Sequence, residues 1–108
     1  MRFSDQIEVL KEGLVDDGIY GYKLKSPYSF IRYGFEPSSG TFYLYNVSTP
    51  KNEDQNKGYA TELLENLFQI IEQKNGALDA GPYTTSGTMY IKHIIEERLV
   101  KKYKIKVI

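Results

Sequence analysis

The sequence predicts an α+β fold: a mixed, mostly antiparallel sheet with helices on its faces. Three observations point there. Tyrosine-rich runs of strand length follow one another with turn residues between them. A strong three-and-four apolar spacing then begins at Ala60. After that helix, short strand-like and helix-like stretches alternate, as a strand–helix–strand crossover requires.

Taken in order, residues 4–14 read as a short helix, with Ser4 as N-cap and Ile7, Leu10 and Leu14 on one face. Gly13 and Gly18 bracket its exit. The runs "IYGYKL" (19–24) and "YSFIRYGF" (28–35) read as strands joined by a turn at Ser26-Pro27. "TFYLYNVS" (41–48) is the clearest strand, with Phe42 and Leu44 on one face and Tyr43, Tyr45 and Val47 on the other. "EPSSG" before it marks a hairpin turn.

Ala60, Leu63, Leu64, Leu67, Phe68 and Ile71 form one helical stripe, and Asn75-Gly76 supplies a left-handed stop. "ALDA" (77–80) reads as a short strand broken by Gly81-Pro82. A second helix is expected from about Ser86, with Met89, Ile91, Ile94, Ile95, Leu99 and Val100 apolar, and "KIKVI" as a last strand.

The 108 residues suit one domain, residues 1–108, with a single core. Fourteen basic residues balance fourteen acidic ones, so overall charge gives no argument for nucleic acid or membrane partners. The basic C-terminal stretch from Arg98 to Lys106 complements a helix C-terminus, and a nucleic-acid role for it lacks support from net charge. The chain has no cysteine, which removes disulfides, thiolate metal sites and a cysteine nucleophile together. No metal is expected. Asp5, Glu8 and Glu12 stand where a secretory leader is apolar, and no run approaches membrane-spanning length. A cytoplasmic location is the expectation. Ten tyrosines are unusual in so short a chain and suit half-exposed sheet faces or a contact surface.

The loop "QNKGYA" (55–60) runs straight into the apolar helix. Unpaired first-turn amides and the positive end of a helix dipole suit an anion. Gly58 leaves the backbone bare, Lys57 adds charge, and Thr61 offers a hydroxyl. An ordinary loop and helix start is the plainer account of the same residues.

Gln55-Asn56-Lys57-Gly58-Tyr59-Ala60 fits the Gln/Arg-x-x-Gly-x-Gly/Ala signature of the Gcn5-related N-acetyltransferase (GNAT) family, which the chain resembles over roughly residues 28–80. A strand leaving through Val47-x-x-Pro50 precedes the signature, and a leucine-rich helix follows it. The resemblance implies a truncated GNAT-like fold and an acetyl-CoA-dependent transfer to an amine. It implies that the loop amides hold the coenzyme A pyrophosphate, with Val47, Gln55, Asn56, Lys57, Gly58, Tyr59, Ala60 and Thr61 forming the cofactor site. It further implies that the flanking strands splay to admit the pantetheine arm.

An acetyl transferase needs a base for the amine, a donor for the oxyanion and an acid for the thiolate. By the resemblance, the oxyanion donor is the backbone N–H of Val47 or a neighbour. The family's thiolate-protonating tyrosine lies in a Tyr-Glu-Lys-x-Gly-Phe run after an Asn-x-x-Ala helix. Here "RLVKKYKI" stands instead, with Val100 near the tyrosine position. Tyr90 is the remaining candidate acid, or else packs on the sheet with its hydroxyl in water. Glu36 is a candidate for selecting or deprotonating the amine, or a solvated loop residue. His93, the only histidine, is a candidate for catalysis, yet a lone helical histidine is more often a surface or satisfied residue. "TTSG" (84–87) offers hydroxyls to a cofactor arm or caps a helix.

The partners expected are acetyl-CoA and an amine acceptor, either a protein or a small molecule, with a homodimer as a further form. Small chains of this kind are common in phages and mobile elements. An inactive GNAT-fold protein that binds or inhibits a partner through its tyrosine-rich surface is the alternative.

Overall fold

A computed structural model describes residues 7–51, 53, 58–81 and 91–108. Six strands form one mixed sheet in chain order: β1 (Glu8–Asp16), β2 (Ile19–Lys25), β3 (Phe30–Glu36), β4 (Thr41–Ser48), β5 (Ala77–Asp79) and β6 (Lys106–Val107). The first four are an antiparallel meander, and β5 and β6 add in parallel. Helix α1 (Tyr59–Gln73) makes the crossover from β4 to β5. Helix α2, described over 91–103 and containing a wide π-helical turn at Ile95–Leu99, precedes β6.

Period-two alternation on the strands places cross-strand rows on one face. Leu24, Ile31 and Val47 form one row, Tyr22, Tyr33 and Leu44 the next, and Phe35, Phe42, Leu78 and Val107 a third. Against this face lie Leu63, Leu64, Leu67, Phe68 and Ile71 of α1 and Ile94, Ile95 and Leu99 of α2, all buried in the same cluster. Burial and a stacked contact with Tyr22 (5.2 Å between ring centroids) set the Tyr33 phenol apart. Burial and the Tyr22 charge push its pKa up to about 12. Tyr33 is a neutral core residue.

The described helices thus share one face of the sheet, where helices on both faces were expected. Two successive parallel crossovers running in the same direction along a sheet, each with the usual right-handed turn, set their helices on the same side. The reverse face, carrying Lys23, Arg32, Asn46, Tyr43 and Tyr45, is left without a described helix.

The first element is a strand and not the expected helix. Glu8–Asp16 pairs with β2 along its length, with register shifts between Lys11 and Gly13 and between Leu14 and Asp16. Gly13 sits at φ 90°, which no α-helix admits. Ser4 lies outside the described residues. The helical spacing of Ile7, Leu10 and Leu14 was coincidental: Leu10 and Leu14 are exposed, and edge pairing outweighs local pattern. Asp17-Gly18, between two runs with apolar residues, was the hairpin signal that marked β1 and β2 as a pair.

Helix α1 ends as its sequence predicts. Asn75 adopts φ 52°, and the Gly76 N–H bonds the Ile71 carbonyl at 2.9 Å. A side chain at Gly76 would place its Cβ 2.8 Å from the Gly40 carbonyl oxygen and from the Phe42 ring, so glycine also permits close seating on β4.

A polar cluster joins the two helices. Glu65 accepts hydrogen bonds from the Lys102 ammonium and from the Tyr103 hydroxyl (2.8 Å), and Tyr103 accepts one from Gln69 (3.1 Å). The bonds from Lys102 and Tyr103 hold the Glu65 carboxyl below its usual value. A folded-state pKa below the unfolded one stabilises at pH above the unfolded value and is lost as pH falls through the folded one. Urea unfolding should therefore show wild-type stability falling below about pH 4.5. Glu65→Gln should be less stable near pH 7 and should show a shallower fall on the acid side. Solvent screening keeps the difference to about 1 kcal/mol or less.

Candidate functional site

Strand β4 changes direction at Tyr45. Tyr33 faces Leu44 and Arg32 faces Asn46, so Tyr45 is an extra residue in β4. One inserted residue turns every later side chain to the opposite face. Val47 consequently packs toward the core opposite Ile31, and does not share a face with Tyr43 as alternation alone predicts. Tyr45 covers the reverse face over Gly34, where an added Cβ would lie 2.7 Å from its hydroxyl.

On its other side, β4 pairs with β5 only through Thr41–Tyr43 against Ala77–Asp79. From Leu44 to Ser48 it has no strand partner on that side among the described residues. Alternate N–H groups of this stretch point away from β3, toward the gap. Val47 lies in it.

Helix α1 starts at the same end of the sheet. Its N-cap is Gly58 at φ 82°, which has no side chain to cap the first turn. The helical ladder begins with the Glu62 N–H on the Gly58 carbonyl (3.0 Å), which leaves the amides of Ala60 and Thr61 without intrahelical acceptors. A Cβ at Gly58 would meet nothing within 4 Å, so the approach is open. Glu62, the acidic residue of the first turn, has its carboxyl pushed up by burial and by the nearby Glu65 charge.

Beside this helix start lies a groove of about 190 Å³ between the β2–β3 turn and the exit of β4. Tyr28 of the turn stacks on Tyr59, the first residue of α1, at 4.3 Å and 15°. Lys23, Lys25 and Lys51 line the groove, and none forms an ion pair with a described carboxylate. The Lys23 ammonium sits 4.6 Å from the centre of the Phe30 ring in its wall. Ser26 closes the turn: its hydroxyl accepts the Tyr28 and Ser29 N–H groups, and its N–H donates to the Ser29 carbonyl at 2.9 Å. Ser29, also in the wall, is 3% exposed, and its Oγ has no hydrogen-bond partner. A hydroxyl left so costs about 1–3 kcal/mol.

The structure brings Val47, Gly58, Tyr59, Ala60 and Thr61 to one end of the sheet. Glu36 stands at the other end, paired with Thr41. Five residues of strand separate it from Ile31, the partner of Val47, or about 16 Å at the usual rise. It bonds the Ser39 hydroxyl and neighbours Tyr43, whose phenol is pushed up by partial burial and by the Glu36 and Asp79 carboxylates. His93 is exposed on α2. Gln55, Asn56, Lys57, Tyr90 and the 84–87 hydroxyls lie outside the described residues. Among the described residues no cluster of three metal-ligating side chains exists, and no helix is long and apolar enough to cross a membrane.

Sequence reasoning passed over Lys23, Lys25, Tyr28, Ser29 and Lys51. Lys23 and Lys25 flank Leu24 ahead of a serine turn in "YKLKSPYSF", a signal that shows only once the β4 exit with Lys51 is folded against it. The chain matches no protein-family model, no curated protein and no solved structure.

Proposed function

We propose that the chain is an acetyl-CoA-dependent N-acetyltransferase with a truncated GNAT-like fold, transferring an acetyl group to an amine of a protein or small molecule. The observation that supports it best is the meeting of two features at one end of the sheet. The pairing of the bulged strand β4 with its parallel neighbour stops after Tyr43, and a helix with a glycine N-cap begins at Gly58 at the same end of the sheet. A parting of strands admits a narrow arm, and bare helix amides suit a pyrophosphate. The signature residues at 55–60 supply the rest of the case.

In this reading the pyrophosphate sits on the first-turn amides of α1, among them Ala60 and Thr61, and the thioester lies along β4 near Val47. The amine nitrogen attacks the thioester carbon, the carbon–sulfur bond breaks, and the thiolate leaves. A backbone N–H at or next to Val47 holds the oxyanion. The amine proton passes to solvent, because Glu36 is too distant to take it, and Tyr90 remains the candidate to protonate the thiolate.

Calorimetric titration with acetyl-CoA, followed by thiol release with a panel of amines, tests the proposal. Saturable binding and thiol release that requires an amine are expected. A chain that does not bind acetyl-CoA overturns it.

A second reading is a GNAT-fold protein without activity that binds or inhibits a partner. The reverse sheet face favours it, since Tyr43 and Tyr45 lie parallel there with ring centroids 6.4 Å apart and Tyr45 is exposed. Acetyl-CoA binding without thiol release from any amine would select this reading.

A further inference from the structure

We infer that the groove between the β2–β3 turn and the β4 exit is an oxyanion subsite that takes an acidic side chain of a peptide ligand. Lys23, Lys25 and Lys51 bring three positive charges to one concavity; Glu8 stands opposite Lys25 in the β1–β2 register, and none of the three lysines is ion-paired with a described carboxylate. In a chain of zero net charge, that concentration is a local departure from the average surface. The second observation is independent of charge. Ser29 is buried in the same wall with a hydroxyl that bonds nothing, while its neighbour Ser26 has every bond the turn requires. Buried polar groups in native proteins are satisfied by protein, water or ligand, and an orphan in a groove wall points to the last two.

Size and shape choose the ligand class. The groove's 190 Å³ equals about six waters at their liquid volume, enough for one carboxylate-bearing side chain. A nucleic acid needs basic groups tracking several successive phosphates, and the groove has room for one anionic group. The Phe30 and Tyr28 rings give the side chain's methylenes an apolar surface. The Tyr28–Tyr59 stack links the groove to the start of α1. Calling the peptide the acetyl acceptor rests on the acetyl-transfer reading; the subsite itself does not.

The test is a titration of the chain with an Asp-rich peptide bearing a free amine, beside a Lys-rich peptide, oligodeoxythymidine and coenzyme A. The Asp-rich peptide should bind best of the three polymers. Its affinity should fall as salt rises from about 0.01 to about 0.15 M, as the screening length contracts from ~30 to ~8 Å. Replacing the half-buried Lys23 and Lys25 and the exposed Lys51 together (Lys23→Gln, Lys25→Gln, Lys51→Gln) should leave the chain folded by thermal unfolding and weaken the peptide roughly tenfold. Coenzyme A affinity should not move. Ser29→Ala should raise the melting temperature while weakening the peptide roughly threefold or more.

Equal peptide affinity in wild type and the lysine variant overturns the subsite, as does preference for the oligonucleotide. A parallel loss of coenzyme A in the lysine variant also overturns it, by making the groove part of the cofactor site. Peptide binding in a chain that ignores coenzyme A sinks the acetyl-transfer reading and supports the subsite. Coenzyme A binding without peptide binding does the reverse.

Discussion

Phe68→Ala should cost the fold about 3–5 kcal/mol and leave the chain close to its unfolding midpoint in water. Phe68 is fully buried near the middle of α1, on the stripe that faces the sheet. Its ring meets Tyr103 of α2 at 6.3 Å between centroids, so it packs against the second helix as well. Deleting it removes transfer energy and leaves a cavity between two helices that a single sheet face must hold. The neighbouring core residues Leu64, Leu67 and Ile71 stay in place on the same helix and prevent full collapse into the space. Urea unfolding followed by far-ultraviolet circular dichroism measures the difference. A midpoint within about 1 kcal/mol of wild type would show that α1 is not the main support of the sheet.

Gly58→Asp should remove coenzyme A binding, with an affinity loss of about a hundredfold or more, near 3 kcal/mol. The structure separates two effects that the sequence does not. At φ 82° any side chain at Gly58 carries backbone strain of about 1–2 kcal/mol, with aspartate among the better tolerated residues. No atom within 4 Å obstructs its Cβ, so the fold should persist. On the acetyl-transfer proposal, the affinity loss comes from bulk and negative charge placed at the first-turn amides, where a pyrophosphate would approach. Gly58→Asn carries the same strain without the charge and should lose less affinity than aspartate. Calorimetry on both variants checks this, with thermal unfolding to confirm folding. Wild-type affinity in Gly58→Asp would mean that the start of α1 holds no phosphate.

Strands β2, β3 and β4, the whole of α1 and its left-handed exit at Asn75 were legible in the sequence because each rests on local periodicity and turn chemistry. The stripe from Leu63 to Ile71 lies within the fifteen contiguous residues of α1, and its stop at Asn75-Gly76 follows directly. Gly58 as the helix start was legible for the same reason. Tertiary structure decided what depends on partners far along the chain. Residues 8–16 became a strand because β2 offers a full row of backbone partners, and the helical spacing of Leu10 and Leu14 could not compete with it. Val47 faces the core because Tyr45 bulges out of register with β3, and one extra residue in a period-two structure reverses all that follow. The groove joins Lys23 and Lys25 to Lys51, across some 26 positions that no local pattern connects. Alternation and turns are written in neighbouring residues; register, bulges and concave surfaces arise only when distant segments pair, because their energies belong to the pairs.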